Sequence, residues 1–96
     1  MLIKSGVDIF RLKRQIRRAL NHVDIVYAKY DQEVVVTSAY EKDHSPSSLH
    51  YGNDAFDIRK PKSYEKEILA ELRRRLGNNY DIVAEKTHWH IEWDPK

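Results

Sequence analysis

The chain has no cysteine among its 96 residues. That absence removes disulfides, thiolate zinc sites and cysteine nucleophiles together, and leaves His, Asp and Glu to hold any metal. Long apolar runs are missing as well. No stretch approaches the roughly 20 apolar residues of a membrane span, and the N-terminal MLIKSGVDIF lacks the apolar core of an export signal. The expectation is therefore no membrane contact and a cytoplasmic location as synthesised. Neither sign of charge dominates, since 17 Lys and Arg stand against 15 Asp and Glu. The basic residues gather in RLKRQIRR and LRRRLG, which read as solvated helix faces. Nucleic-acid binding would need a continuous basic surface with interleaved aromatics or a reading motif, so no nucleic-acid partner is expected. No repeat, linker or low-complexity tract divides the chain, and residues 1–96 read as one domain. A chain of this length buries roughly 60–65% of its unfolded surface and folds without a covalent staple.

In SGVDIFRLKRQIRRALNH, Ile9, Leu12, Ile16 and Leu20 recur at helical spacing, with Ser5 or Asp8 as the cap. This predicts an amphipathic helix over roughly residues 7 to 21. The runs DIVYAKY and EVVVTSAY are rich in β-branched and aromatic residues and suit two strands, or one strand after an irregular connection, the second near residues 33 to 38. EKDHSPSSLHYGND is a long loop for so small a chain, and loops of that length are usually functional or disordered. AFDIR returns to alternation. SYEKEILAELRRRLGNN gives a second helix with Ile68, Leu69, Leu72 and Leu76 on its buried stripe and Gly77 as its stop. DIVAE and HWHIEW close the chain as strands. The order predicts an α+β fold, with two helices packed on one face of a mainly antiparallel sheet.

Alternate residues of a strand share a face, so His88, His90 and Glu92 lie on one side of HWHIEW and Trp89, Ile91 and Trp93 on the other. AFDIR divides the same way, with Asp57 on the polar side and Phe56 and Ile58 on the apolar side. If the two strands are neighbours, Asp57 and His90 converge, and the turn through Tyr51, Gly52, Asn53 and Asp54 brings in His50. Two histidines and a carboxylate with an open fourth position are the ligand set of a catalytic zinc. Such an ion lowers the pKa of bound water from 15.7 to about 7. Two groups can move the proton: His88, and Glu85, which stands in E-x-x-H spacing with it. Glu92 shares the ligand face and reads as a solvent-facing or supporting carboxylate, Trp89 and Trp93 as core, and His22 and His44 as surface.

SLHYGNDAFDI resembles the S-x-H-x-x-G-x-A-x-D motif of the zinc D-alanyl-D-alanine peptidases and the phage L-alanyl-D-glutamate endopeptidases. SLHY followed by A-x-D-I is also similar to the N-terminal signalling domain of hedgehog proteins, which shares that fold. HWHIEWD resembles the H-x-H segment that closes the site in that family, and VVVTSAY the strand and turn before the motif. The resemblance covers roughly residues 8 to 94. It implies zinc on His50, Asp57 and His90, Ser48 in support, and His88 as general base or transition-state stabiliser. In the carboxypeptidase branch of the family an E-x-x-H pair makes the histidine a ligand and the glutamate a base; on that register His88 binds the metal and Glu85 is the base.

The sequence departs from the pattern twice. Asn53 stands where a glycine is expected, with Gly52 one place early, and Glu41 follows Thr37, Ser38, Ala39 and Tyr40 where the peptidases carry an arginine for a substrate carboxylate. The second departure leaves the substrate class open. Tyr40 and Tyr51 flank the loop as candidate cleft residues. Taken together, the resemblance implies a zinc metallopeptidase acting on peptidoglycan stem peptides or cross-links, of D-Ala-D-Ala or L-Ala-D-Glu type, such as a phage-type lysis enzyme at the cell wall. The alternative is a catalytically inactive, hedgehog-like binding module that keeps zinc for stability.

Overall fold

A computed structural model describes residues 1–7, 12–40 and 54–95. The chain runs β1 (Leu2–Ile3), α1 (Arg14–Lys29), β2 (Val35–Tyr40), β3 (Ala55–Arg59), α2 (Glu65–Leu76), β4 (Tyr80–Ala84) and β5 (His88–Trp93). The strands form one sheet in the order β1-β2-β3-β5-β4, with β1 parallel to β2 and every other pair antiparallel. This is the α+β arrangement expected from the sequence.

The first helix corrects that reading. It begins at Arg14 rather than near residue 7, and it continues through DIVYAK, which the sequence reads as a strand or an irregular connection. Ile16, Ala19, Leu20, Val23, Val26 and Tyr27 are all buried, so the 3.6-residue stripe that opens at Ile16 does not stop at Leu20. The β-branched Val23 and Val26 in the second half cost a few tenths of a kcal/mol each in helix propensity, whereas burying each gains about 1.5–3 kcal/mol. Burial wins. Tyr27 adds a hydrogen bond from its hydroxyl to the Arg59 carbonyl at 2.8 Å, and burial pushes its phenol pKa well up. The expected caps fail too. Ser5 lies upstream in a turn, Asp8 and Ile9 lie outside the described residues, and the N-cap is Lys13, with no side-chain cap bond.

The second helix follows its pattern more closely. Ile68, Leu72 and Leu76 are buried and Leu69 is half-buried against the core. Gly77 ends the helix at φ 78°, a backbone angle that side chains disfavour, and its amide donates to the Arg73 carbonyl at 3.0 Å. Both helices pack on one sheet face, against Val36, Phe56, Ile58, Trp89 and Ile91. The opposite face carries the polar residues of β3 and β5.

Glu71 joins the helices. It sits on the buried side of α2, where its Oε1 accepts from Lys29 Nζ of α1 at 2.7 Å, with Arg74 and Arg75 at 3.6 and 4.0 Å. The Lys29 hydrogen bond, aided by the three positive charges against the opposing effect of burial, holds its pKa below the usual 4.5. A carboxyl that is more acidic folded than unfolded contributes stability above pH 4.5, and that contribution is lost as pH falls through the lower folded value. Glu71→Gln should therefore be less stable than wild type at neutral pH and show a shallower loss of stability below pH 4.5. Urea midpoints measured from about pH 7 to pH 3 check both expectations.

Candidate metal centre

The site is built on β3 and β5, the two central strands on which the core-facing residues fix the register. Phe56 pairs with Ile91 and Ile58 with Trp89, all buried on the helix side. Because the side-chain period is two, that register leaves Asp57 directly opposite His90 on the other face, and Arg59 opposite His88. His90 Nδ1 lies 2.7 Å from Asp57 Oδ1, the shortest kind of imidazole–carboxylate contact. Asp57 is only 8% exposed. A carboxylate so placed requires partners, and His90 is one of them. The other ring nitrogen of His90, Nε2, stands 3.7 Å from Glu92 Oε1.

His88 occupies the same face one pleat away. Its Nε2 is 3.4 Å from Glu85 Oε2, and its Nδ1 is 3.3 Å from Thr87 Oγ1. The E-x-x-H spacing is that of the β4–β5 turn itself, where the Glu85 amide donates to the His88 carbonyl at 2.9 Å. A turn of that size brings the two side chains together whatever their role. Of the two histidines, His90 stands against Asp57.

A bulge in β2 shapes the rest of the face. Val36 pairs with Ile58, but Ser38 rather than Thr37 pairs with Asp57, so two residues of β2 oppose one of β3. The bulge reverses the alternation: Val34 and Val36 point to the core before it and Ala39 after it. Thr37 and Ser38 are left beside Asp57, and Thr37 Oγ1 lies 3.4 Å from the Asp57 carbonyl. Together with Lys4, Arg59, Thr87 and His88 they line a cavity of about 420 Å³ that shares the Asp57 wall.

The remaining expected site residues fall elsewhere. His50, Ser48 and Tyr51 lie outside the described residues, as do Glu41, His44, Gly52 and Asn53, and Tyr40 is described through its backbone, which ends β2 opposite Ala55. Trp89 is buried, and Trp93 packs edge-on against Tyr80 at 4.9 Å between centroids, so both belong to the core side. His22 is half-buried on α1 rather than on the surface, and burial together with the charges of Arg18 and Arg75 lowers its pKa. Glu92 is half-buried and pairs across the sheet with Asp81; with Asp94 they form a carboxylate cluster whose ligand atoms lie within 4.8 Å of one another. Arg59, two residues from Asp57 on the same strand and opposite His88, was not singled out by the sequence. Lys4, Thr87 and the paired hydroxyls of Thr37 and Ser38 had no pattern to announce them, because a two-residue strand, a hairpin turn and a bulge place them.

The donor set suits zinc. One imidazole nitrogen and one carboxylate oxygen face each other on a polar sheet face, the borderline ligand pair that zinc accepts in tetrahedral sites. Asp57 and His90 would be the two of its protein ligands that these strands supply.

The α+β sheet thus carries an Asp–His pair on its polar face with a second histidine beside it. The family model for peptidase M15 matches residues 2–92, and the chain belongs to that family, whose members are zinc peptidases. No curated protein and no solved structure matches the chain significantly.

Proposed function

We propose that the chain is a zinc-dependent metallopeptidase that hydrolyses peptide bonds in peptidoglycan stem peptides or cross-links. The 2.7 Å apposition of Asp57 and His90 in fixed register is the observation that carries this reading. These two residues and His50 would hold the metal, with Ser48 supporting them. When bound, zinc would supply an acidified water and polarise the scissile carbonyl. The chain's own residues do the rest. Asp57 and His90 are locked by the strand pairing beneath them, so the ligand geometry is organised before substrate arrives. His88, with Glu85 at 3.4 Å, would take a proton from the attacking water and return it to the departing amine as the C–N bond breaks. Membership of the M15 family supports the reaction class.

The test is incubation of zinc-loaded protein with purified peptidoglycan and with defined muropeptides, followed by labelling of new amines. Release of D-alanine, or of amines on stem-peptide fragments, is expected, and the products identify the bond cut. Absence of release with one equivalent of zinc still bound would leave the inactive, zinc-stabilised binding module in its place.

A further inference from the structure

The cavity beside the Asp57–His90 pair carries a recognition chemistry that the metal does not need. Lys4, just past β1, joins Arg59 of β3 and His88 of β5, with the hydroxyls of Thr37, Ser38 and Thr87 between them, so the polar side of the sheet presents a row of donors around about 420 Å³. Lys4 follows β1 and is tied to β2 through its amide, which donates to the Val36 carbonyl at 2.9 Å. Ile3 packs against the core, so the pleat turns Lys4 to the polar face. Arg59 is held from behind by the Tyr27 hydroxyl on its carbonyl. Among the described residues neither cation has an ion-pair partner, whereas Lys13, Lys29 and Lys60 each have one. Two cations gathered around hydroxyl donors match an anion, and the planar guanidinium matches a carboxylate with two parallel bonds.

We propose that Arg59, assisted by Lys4, anchors a free carboxylate of the peptide substrate and so sets specificity for the bond cut at the Asp57–His90 end. The proposal rests on the reading of that pair as the reacting end of the cleft. Arg59 and Asp57 are two residues apart on one strand, about 6.6 Å along it. That is the span of one to two residues of an extended peptide, so the carboxylate belongs to the residue that follows the scissile bond. The anchor supplies the positive charge that Glu41 does not.

The experiment uses the protein as purified, with zinc content assayed separately. Binding of acetyl-D-alanyl-D-alanine and acetyl-L-alanyl-D-glutamate, each against its carboxyl-amidated form, is followed on the side-chain NMR resonances of Arg59 and Lys4. Wild type should bind at least one acid about tenfold more tightly than its amide, since a charge-assisted pair is being made or lost. Arg59→Gln should bring acid and amide to within about threefold, Lys4→Gln should narrow the gap less, and Arg59→Lys should restore part of it. In turnover, Arg59→Gln should raise KM for the acid and leave zinc content unchanged. Equal binding of acid and amide by wild type, or a preference that survives Arg59→Gln, overturns the proposal. So does inorganic phosphate shifting the same resonances as strongly as the peptide acid, which would make this a general anion site. Failure to bind added zinc, with the carboxylate preference intact, would instead defeat the metal reading and with it the role in bond specificity, leaving a carboxylate-binding site alone.

Discussion

Asp57→Ala and His90→Ala should each strip the protein of zinc and, with it, of peptide hydrolysis. A structural zinc held by four ligands is bound with about 10–16 kcal/mol, so one ligand accounts for about 2.5–4 kcal/mol, or roughly a hundredfold to a thousandfold in affinity. Hydrolysis should fall by about as much or more, because the acidified water and the polarised carbonyl depart with the ion. Apparent stability should fall too, since an ion that binds only the folded chain stabilises it in proportion to its free concentration over Kd. Zinc per chain after dialysis against a mild chelator, read by elemental analysis beside the melting temperature, tests both variants. His88→Ala separates the two possible registers. With His90 as the ligand, as its position against Asp57 favours, His88→Ala keeps its zinc and loses turnover. Metal retained at wild-type level in both Asp57→Ala and His90→Ala would defeat the site.

The same strands explain why so much of this face is legible in the sequence. Alternation in AFDIR and HWHIEW separates Phe56, Ile58, Trp89 and Ile91 from Asp57, His88 and His90, and the core then enforces the separation. A one-residue slip would bury the ligands and expose Trp89, so pattern and register are one constraint. What sequence could not yield were features with no period. β1 is two residues long and gains its place through pairing with β2. The bulge at Thr37 inverts the alternation of VVVTSAY, so counting in twos across it assigns the wrong face to Ser38. DIVYAKY failed for another reason. Its β propensity is a local preference, and burial of Val23, Val26 and Tyr27 outweighs it.

Trp89→Ala should be the most damaging change outside the proposed metal ligands, and it bears on the site because Trp89 lies between His88 and His90. Its side chain is 2% exposed, pairs with Ile58 across β3 and meets Tyr27 of α1 edge-on at 6.4 Å between centroids. Truncating a buried tryptophan costs about 3–5 kcal/mol through lost transfer energy and the cavity left behind, and the edge-on pair adds about 0.5–1.5 kcal/mol. A chain of this size is stable by about 5–14 kcal/mol in all. The melting temperature should therefore drop by at least roughly 12 °C, at about 4 °C per kcal/mol for a small domain. Trp89→Phe, which keeps an aromatic edge and much of the volume, should lose less than half as much. The functional consequence follows from the pleat. Trp89 pins β5 to the helices, and that anchorage aims His88 and His90 at the opposite face. Zinc affinity should weaken in Trp89→Ala even at temperatures where the chain remains folded, while Trp93→Ala, at the half-buried end of the strand, should leave it nearly unchanged. Equal zinc affinity in Trp89→Ala and wild type, measured on folded protein by competition with a chromophoric chelator, would show that the site is held by the β3–β5 pairing alone.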